Sequence, residues 1–178
     1  MILDFFKTAA NLKKISRQGW IDKLLLDNPE SVADHTYSMA IIGMVISDLE
    51  NYNSEKIIKM ILLHDLAESK IGDITPEQLN KEKKNELENN VFNKIIKNLP
   101  NLIKSQYLQI WKEYQENTSL ESKLVHQIDK LEMALQAKIY KNDGHSQKKL
   151  ESFFESAKID ITDPKLKELF TKIIKDIQ

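Results

Sequence analysis

Cysteine is absent from the 178-residue chain, which excludes disulfides, thiolate metal sites and cysteine nucleophiles and leaves histidine and carboxylate to hold any metal. Glycine and proline are scarce, four of each, which argues for long helices with few tight turns. No stretch approaches the ~20 apolar residues that cross a bilayer, and the N-terminal MILDFFKTAANLKK, with its early Asp4 and no unbroken apolar run, makes a poor secretion signal. An excess of charge is also missing. With 26 basic and 27 acidic residues the formal net charge is -1, so nothing suggests a surface for a nucleic-acid polymer; a free nucleotide needs only a local positive site. These absences predict a soluble, cytoplasmic protein with no membrane contact. A length of 178 residues, 41% hydrophobic, suffices for one domain, residues 1–178, with its own core.

Helical periodicity runs through what is present. Ile2, Phe5, Phe6, Ala9, Leu12 and Ile15 form one stripe and predict a first helix from Leu3 to about Ser16. Gly19 predicts a break, with GWIDKLLLDNPE as a connecting loop that carries Arg17 and Trp20 on its near side. Ser31 is a candidate cap for a second helix reaching about Leu49, with His35 in its first turns. NYNS, capped by Ser54, leads into the stretch Ile57–Asp73, which Gly72 ends, leaving Asp73 in a loop. Thr75-Pro76-Glu77-Gln78 combines a cap, a proline and a capping-box partner and predicts the next helix start. The run NKEKKNELENN reads as a solvated helix face. Val91 to Ile96 restore a buried side before Pro100, and Leu102–Tyr114 is a further helix. Ser119 with Ser122 opens a long helix that carries Asp129 and ends near Gly144; Ser146–Ala157 and Lys165–Ile177 follow. With no strand-period segment, the expected fold is an all-α bundle of about seven to eight helices.

Titratable groups interrupt these apolar helices. His64, Asp65 and Glu68 sit among Ile57, Ile58, Ile61, Leu62 and Leu66, where an imidazole and two carboxylates are costly to desolvate unless something compensates. A metal ion is the simplest compensation. His64 and Glu68 share a face of a continuous helix and Asp65 lies one position round, so further ligands must come from other helices; His35 and Asp129 are the candidates. Singly, a histidine on an apolar helix is ordinarily a core residue satisfied by a carbonyl, and a His-Asp pair arises by chance. Together they are harder to dismiss, because carboxylates are seldom buried without a partner.

A histidine, then a His-Asp pair, then a distant Asp is the order of the HD superfamily of metal-dependent phosphohydrolases, which this sequence resembles. Two imidazoles and two carboxylates suit one divalent transition metal, Mn, Fe, Co, Ni or Zn, better than Mg or Ca, and leave room for a water and a phosphate oxygen. Glu68, one turn on, is placed to orient or deprotonate that water, against the plainer reading of a helix Glu paired with Lys70. Arg17 is the candidate phosphate clamp, since a guanidinium forks onto its oxygens; Lys130 is an alternative of lower weight. Trp20 can pack on a sugar or base or plug the core. Asp73 either meets substrate or shapes its loop. His126 and His145 read as non-ligands.

LKKISRQGW, NPESVADHTYSMA, LLHDLAESKIGDITP, WKEYQ and LVHQIDKLEMALQA narrow the resemblance to the small HD-domain 5′-deoxynucleotidases, over nearly the whole chain. That resemblance implies an all-helical fold, one divalent metal and hydrolysis of deoxyribonucleoside 5′-monophosphates to deoxynucleoside and phosphate. It implies His35, His64, Asp65 and Asp129 as ligands, Glu68 as the catalytic carboxylate, Arg17 on the phosphate, Trp20 crowding the sugar 2′ position, Asp73 at the substrate pocket, and a homodimer. In one branch of the family the arginine and tryptophan are adjacent, whereas Gln18 and Gly19 separate them here. Two other readings remain: an HD enzyme acting on a deoxynucleoside triphosphate, guanosine tetraphosphate or a cyclic dinucleotide, disfavoured by the few basic residues near the motif, and a non-catalytic helical binding module.

Overall fold

The computed structural model describes residues 2–175. Ten α-helical segments follow one another: α1 (Ile2–Asn11), α2 (Gln18–Leu24), α3 (Val32–Leu49), α4 (Ser54–His64), α5 (Glu68–Ile71), α6 (Lys81–Ile96), α7 (Asn101–Glu116), α8 (Leu120–Asn142), α9 (Gln147–Asp160) and α10 (Pro164–Lys175), with a 3-10 turn at Leu12–Lys14. Among the described residues the only β pairing is an isolated antiparallel bridge between Ser16 and Ser31. The all-α expectation holds, while the helix count exceeds seven to eight because α2 and α5 were not foreseen. The C-terminal helix was expected to reach Ile177, which lies outside the described residues.

Several helix starts follow the cap chemistry of the sequence. Ser31 and Ser119 each form a reciprocal capping box, with Asp34 and Ser122 respectively, which satisfies backbone N–H groups that have no partner inside the helix. Asp163 accepts from the N–H groups of Lys165 and Leu166 at 2.9 and 3.0 Å and caps α10. Other expectations need correction. Asn53, not Ser54, caps α4, the Ser54 hydroxyl being engaged by Asp48 at 2.6 Å. Thr75–Gln78 forms only a turn, with Gln78 and Leu79 both donating to the Thr75 carbonyl, and α6 begins later behind Asn80.

The expected loop after Gly19 is helix α2. Trp20 and Leu24, one turn apart, are buried with Met133, Ala137, Tyr140 and Leu150, and this tertiary packing against α8 and α9 outweighs the glycine's poor helix propensity. Leu25, left-handed at φ 58°, closes the helix by donating to the Ile21 carbonyl. The HD stretch is likewise not one helix. α4 stops at His64, and Leu66, Glu68, Ser69 and Lys70 donate three residues back rather than four. That tighter winding brings residues three apart, Asp65 and Glu68, into line. Gly72, at φ 81°, then ends α5, a backbone conformation that glycine adopts without steric cost.

The main core fills with Met39 of α3, Ile57, Met60 and Ile61 of α4, Phe92 and Ile96 of α6 and Ile128 of α8, among others. α3, α4 and α8 all pack on one another. Each carries one of the candidate metal ligands, so the packing of these three helices sets their spacing.

Candidate metal centre and active site

His35, His64 and Asp129 each bring one donor atom to within 4.8 Å of the others. His35 Nε2 stands 3.2 Å from Asp129 Oδ1 and 4.0 Å from Asp65 Oδ2, and Asp65 Oδ2 stands 2.9 Å from His64 Nε2. The four expected ligands are therefore gathered at one place from α3, the end of α4 and α8.

The opposite edges of the two imidazoles determine what faces this point. His64 Nδ1 lies 2.6 Å from the Ile61 carbonyl and His35 Nδ1 lies 2.6 Å from Glu132 Oε2. With those nitrogens committed as donors, each Nε2 presents its lone pair inward, the arrangement in which a second partner fixes the tautomer of a metal-bound histidine. Both Nε2 atoms and Asp65 Oδ2 are buried without a hydrogen-bond partner. Buried polar atoms are very seldom left unsatisfied, so the donor set fits a divalent transition metal. Glu30, His35 and Glu132 form a second cluster within 4.8 Å, but the Nδ1 edge it uses is already bonded to Glu132, so this cluster orients the ring.

Electrostatics follow the same geometry. For His35, burial and the Arg17 charge disfavour the proton, but Asp129 and Glu132 outweigh them and raise it to about 9, so a proton and a metal ion compete for Nε2. Burial opposes ionisation of Asp65, yet His64, Arg17 and His35 hold its carboxyl well below the usual range. Asp129 is held low in the same way by His35, Lys130 and Arg17 against burial. Glu68 goes the other way: burial, then Asp65 and Asp73, push its carboxyl up, with Lys84 and Arg17 only partly offsetting them. It is 2% exposed, and its Oε2 has no hydrogen-bond partner.

Arg17 sits at the N-terminus of α2, its Nη1 3.9 Å from Asp65 Oδ2 and its Nε 3.9 Å from Glu30 Oε1. Neither carboxylate is within hydrogen-bond distance, so the guanidinium fork is not committed to them. Asp73 Oδ2 accepts from the Gln18 N–H at 2.8 Å, tying the loop behind α5 to the start of α2. Trp20 is 1% exposed, donates to Glu30 Oε1 at 2.7 Å and packs against Phe153 and Tyr140; it is built into the core and also borders the cavity. Lys130 pairs with Asp160 at 3.9 Å. His126 bonds the Tyr114 carbonyl at 3.0 Å and stacks on that ring, while His145 rests edge-on against Tyr140; neither belongs to the clusters.

Arg17, Trp20, His64, Asp65, Glu68, Asp73, Asp129 and Lys130 line one cavity of about 790 Å³, within the range of small-molecule sites, and the fully buried His35 lies behind its wall. Lys81, Lys84, Lys123 and Lys130 also line it, so the shortage of basic residues near the motif does not carry over into space. Sequence reasoning missed Glu132, Glu30, Lys84 and Glu88. Glu132 was detectable, three residues after Asp129 on the inward side of an apolar helix; Lys84 and Glu88 were hidden in a run charged on every face.

Residues 9–169 match the HD domain family. The chain is 34% identical to the 5′-deoxynucleotidase HDDC2 of Homo sapiens over 97% of its own length and 84% of that protein's. It is 37% identical to the 5′-deoxynucleotidase HDDC2 of Dictyostelium discoideum over 98% and 97% of the respective lengths. Among solved structures, a conserved hypothetical protein of Pyrococcus furiosus superposes with a TM-score of 0.80 at 30% identity, covering 97% of this chain and 99% of that one. The PH0347 protein of Pyrococcus horikoshii gives 0.76 at 34% identity, over 99% and 95%. With its two buried histidines and the Asp65 and Asp129 carboxylates gathered at one point, the chain belongs to the HD-domain family, within its 5′-deoxynucleotidase branch.

Proposed function

We propose that the chain is a metal-dependent phosphomonoesterase that hydrolyses deoxyribonucleoside 5′-monophosphates to deoxynucleoside and inorganic phosphate. The observation that carries this reading is the set of unpartnered buried atoms, His35 Nε2, His64 Nε2 and Asp65 Oδ2, gathered beside a cavity that His64 and Asp65 line together with Arg17 and Glu68. Relatives named 5′-deoxynucleotidase supply the substrate class.

In this reading His35, His64, Asp65 and Asp129 hold one divalent transition metal (Mn, Co, Fe, Ni or Zn), which when bound lowers the pKa of water and neutralises charge on a phosphoryl group. Arg17 forks onto the non-bridging oxygens of the phosphate. Glu68 Oε2 accepts the proton of the water that attacks phosphorus, a task helped by a carboxyl that burial and the neighbouring Asp65 and Asp73 push well above the ordinary carboxylate range. The phosphorus–O5′ bond then breaks and the deoxynucleoside oxygen takes up the proton that Glu68 received, which restores the carboxylate. Asp73 and Trp20 border the sugar, with Trp20 acting through the wall it forms with Phe153. Residues 1–178 work as one domain, in the cytoplasm, as a homodimer.

The test is release of phosphate from dAMP, AMP, dATP and guanosine tetraphosphate by the purified protein with Mn, Co, Mg or Zn. Phosphate is expected from dAMP in preference to AMP, with His64→Ala and Asp65→Ala inactive. Activity on the triphosphate or tetraphosphate alone, or full activity in either variant, overturns the proposal. Size-exclusion chromatography with light scattering tests the dimer.

A further inference from the structure

Lys84 lies in the middle of the most charged segment of the chain, on α6, sixteen residues beyond Glu68 in sequence. Its side chain is three-quarters buried and turned into the cavity. Nζ donates to the Ile74 carbonyl at 2.8 Å and lies 3.5 Å from Glu68 Oε1 and 3.5 Å from Glu88 Oε1. Glu88 Oε2 in turn accepts from Gln115 at 3.4 Å. An ammonium has three donors; the Ile74 carbonyl and Glu68 Oε1 accept from two of them, and Glu88 Oε1 adds an ion pair at 3.5 Å. Lys84 is thus engaged inside the protein, whereas the Arg17 guanidinium stands 3.9 Å from both of its neighbouring carboxylates.

Glu68 is therefore held asymmetrically. Oε1 faces Lys84 and Oε2 is buried with no hydrogen-bond partner. A side chain with one oxygen anchored has one oxygen to offer, and its direction is set by the anchor. We propose that Lys84 is a positioning residue for the reaction: by gripping Glu68 Oε1, the Ile74 carbonyl and Glu88 together, it aims Glu68 Oε2 at the attacking water. The inference rests on Glu68 being the general base. Lys84 joins the part of the site that the tight winding after His64 creates to the wall contributed by α6, and it keeps two buried carboxylates from repelling each other.

The test uses the manganese-loaded enzyme with dAMP and four variants: K84M, K84R, E68Q and E68Q/K84M. General base catalysis contributes roughly 10²–10⁴-fold, and misaiming the base forfeits part of it. K84M is expected to lower kcat by about 10²-fold with KM within about twofold and metal content unchanged, and K84R to recover kcat to within about tenfold of wild type. In the E68Q background, K84M should cost less than about twofold, because the group it aims is gone. A K84M enzyme with wild-type kcat, or with raised KM and intact kcat, overturns the inference, as does an equal loss of kcat in both backgrounds. A purely structural tether would lower metal content and melting temperature together with kcat, and K84R would not rescue it. If E68Q itself keeps wild-type kcat, the assignment of the base fails and the inference with it. If E68Q is inactive while K84M is not, only the role of Lys84 fails. Should K84M not fold, K84Q makes the same comparison.

Discussion

Glu132 offers the sharpest check on the proposed metal centre, because it touches His35 from behind. Its Oε2 lies 2.6 Å from His35 Nδ1, and both side chains are almost fully buried. Glu132→Gln keeps the volume and an acceptor oxygen but removes the negative charge that supports the imidazole. Loss of such an outer partner typically weakens metal binding by about 10–100-fold, or about 1.4–2.7 kcal/mol at 1.36 kcal/mol per decade. Glu132→Leu goes further, leaving a buried N–H without an acceptor at an additional cost of roughly 1–3 kcal/mol. Calorimetric titration of the metal-free proteins with Mn or Co should rank affinity as wild type, Glu132→Gln, Glu132→Leu, with kcat recovered at saturating metal in the glutamine variant. Wild-type affinity in both variants would refute the orienting role. Abolished binding in Glu132→Gln, with normal binding in His64→Ala, would place the ion in the Glu30–His35–Glu132 cluster instead and overturn the site described above.

Two further expectations concern stability. A Cβ on Gly43 would clash with Ile61 Cδ1 and lie 3.2 Å from Ile57 Cγ2, and both isoleucines are fully buried, so Gly43→Ala overpacks the α3–α4 contact by about 1–3 kcal/mol, against the ~1 kcal/mol gained in helix propensity. The net loss should lower the melting temperature by a few degrees, at ~2–4 °C per kcal/mol for a chain of this size; an unchanged or higher value refutes the packing argument. Glu30 is raised to about 7 by burial and then by Glu132, against the Trp20 bond and the His35 and Arg17 charges. The folded state thus holds that proton more tightly than the unfolded chain does, and its contribution to stability, complete below the ordinary carboxylate value, is lost as pH rises through about 7. Denaturant melts of the metal-free protein should show Glu30→Gln losing less stability than wild type between pH 5 and 8; parallel losses would contradict the assignment.

The chemistry of the site was legible because each signal is short-ranged. His35, His64-Asp65 and Asp129 are polar exceptions in apolar helices, and desolvation makes such exceptions conspicuous without reference to their neighbours. Ser31 and Ser119 likewise disclose their helix starts within four residues. Tertiary structure decided the rest. Gly19 argued for a loop, and only the packing of Trp20 and Leu24 onto α8 and α9 makes that segment helical. Helical periodicity ran unbroken through Leu66, so nothing local revealed that the backbone tightens after His64. Lys84 and Glu88 looked like solvated charges because a segment charged on all sides has no inward face until another element supplies one. That element is α5 with its following loop, whose Glu68 and Ile74 carbonyl meet Lys84. The sequence by itself thus determined which groups are costly to bury; the fold determined which of them meet, because their contacts join segments whose separation along the chain carries no local signal.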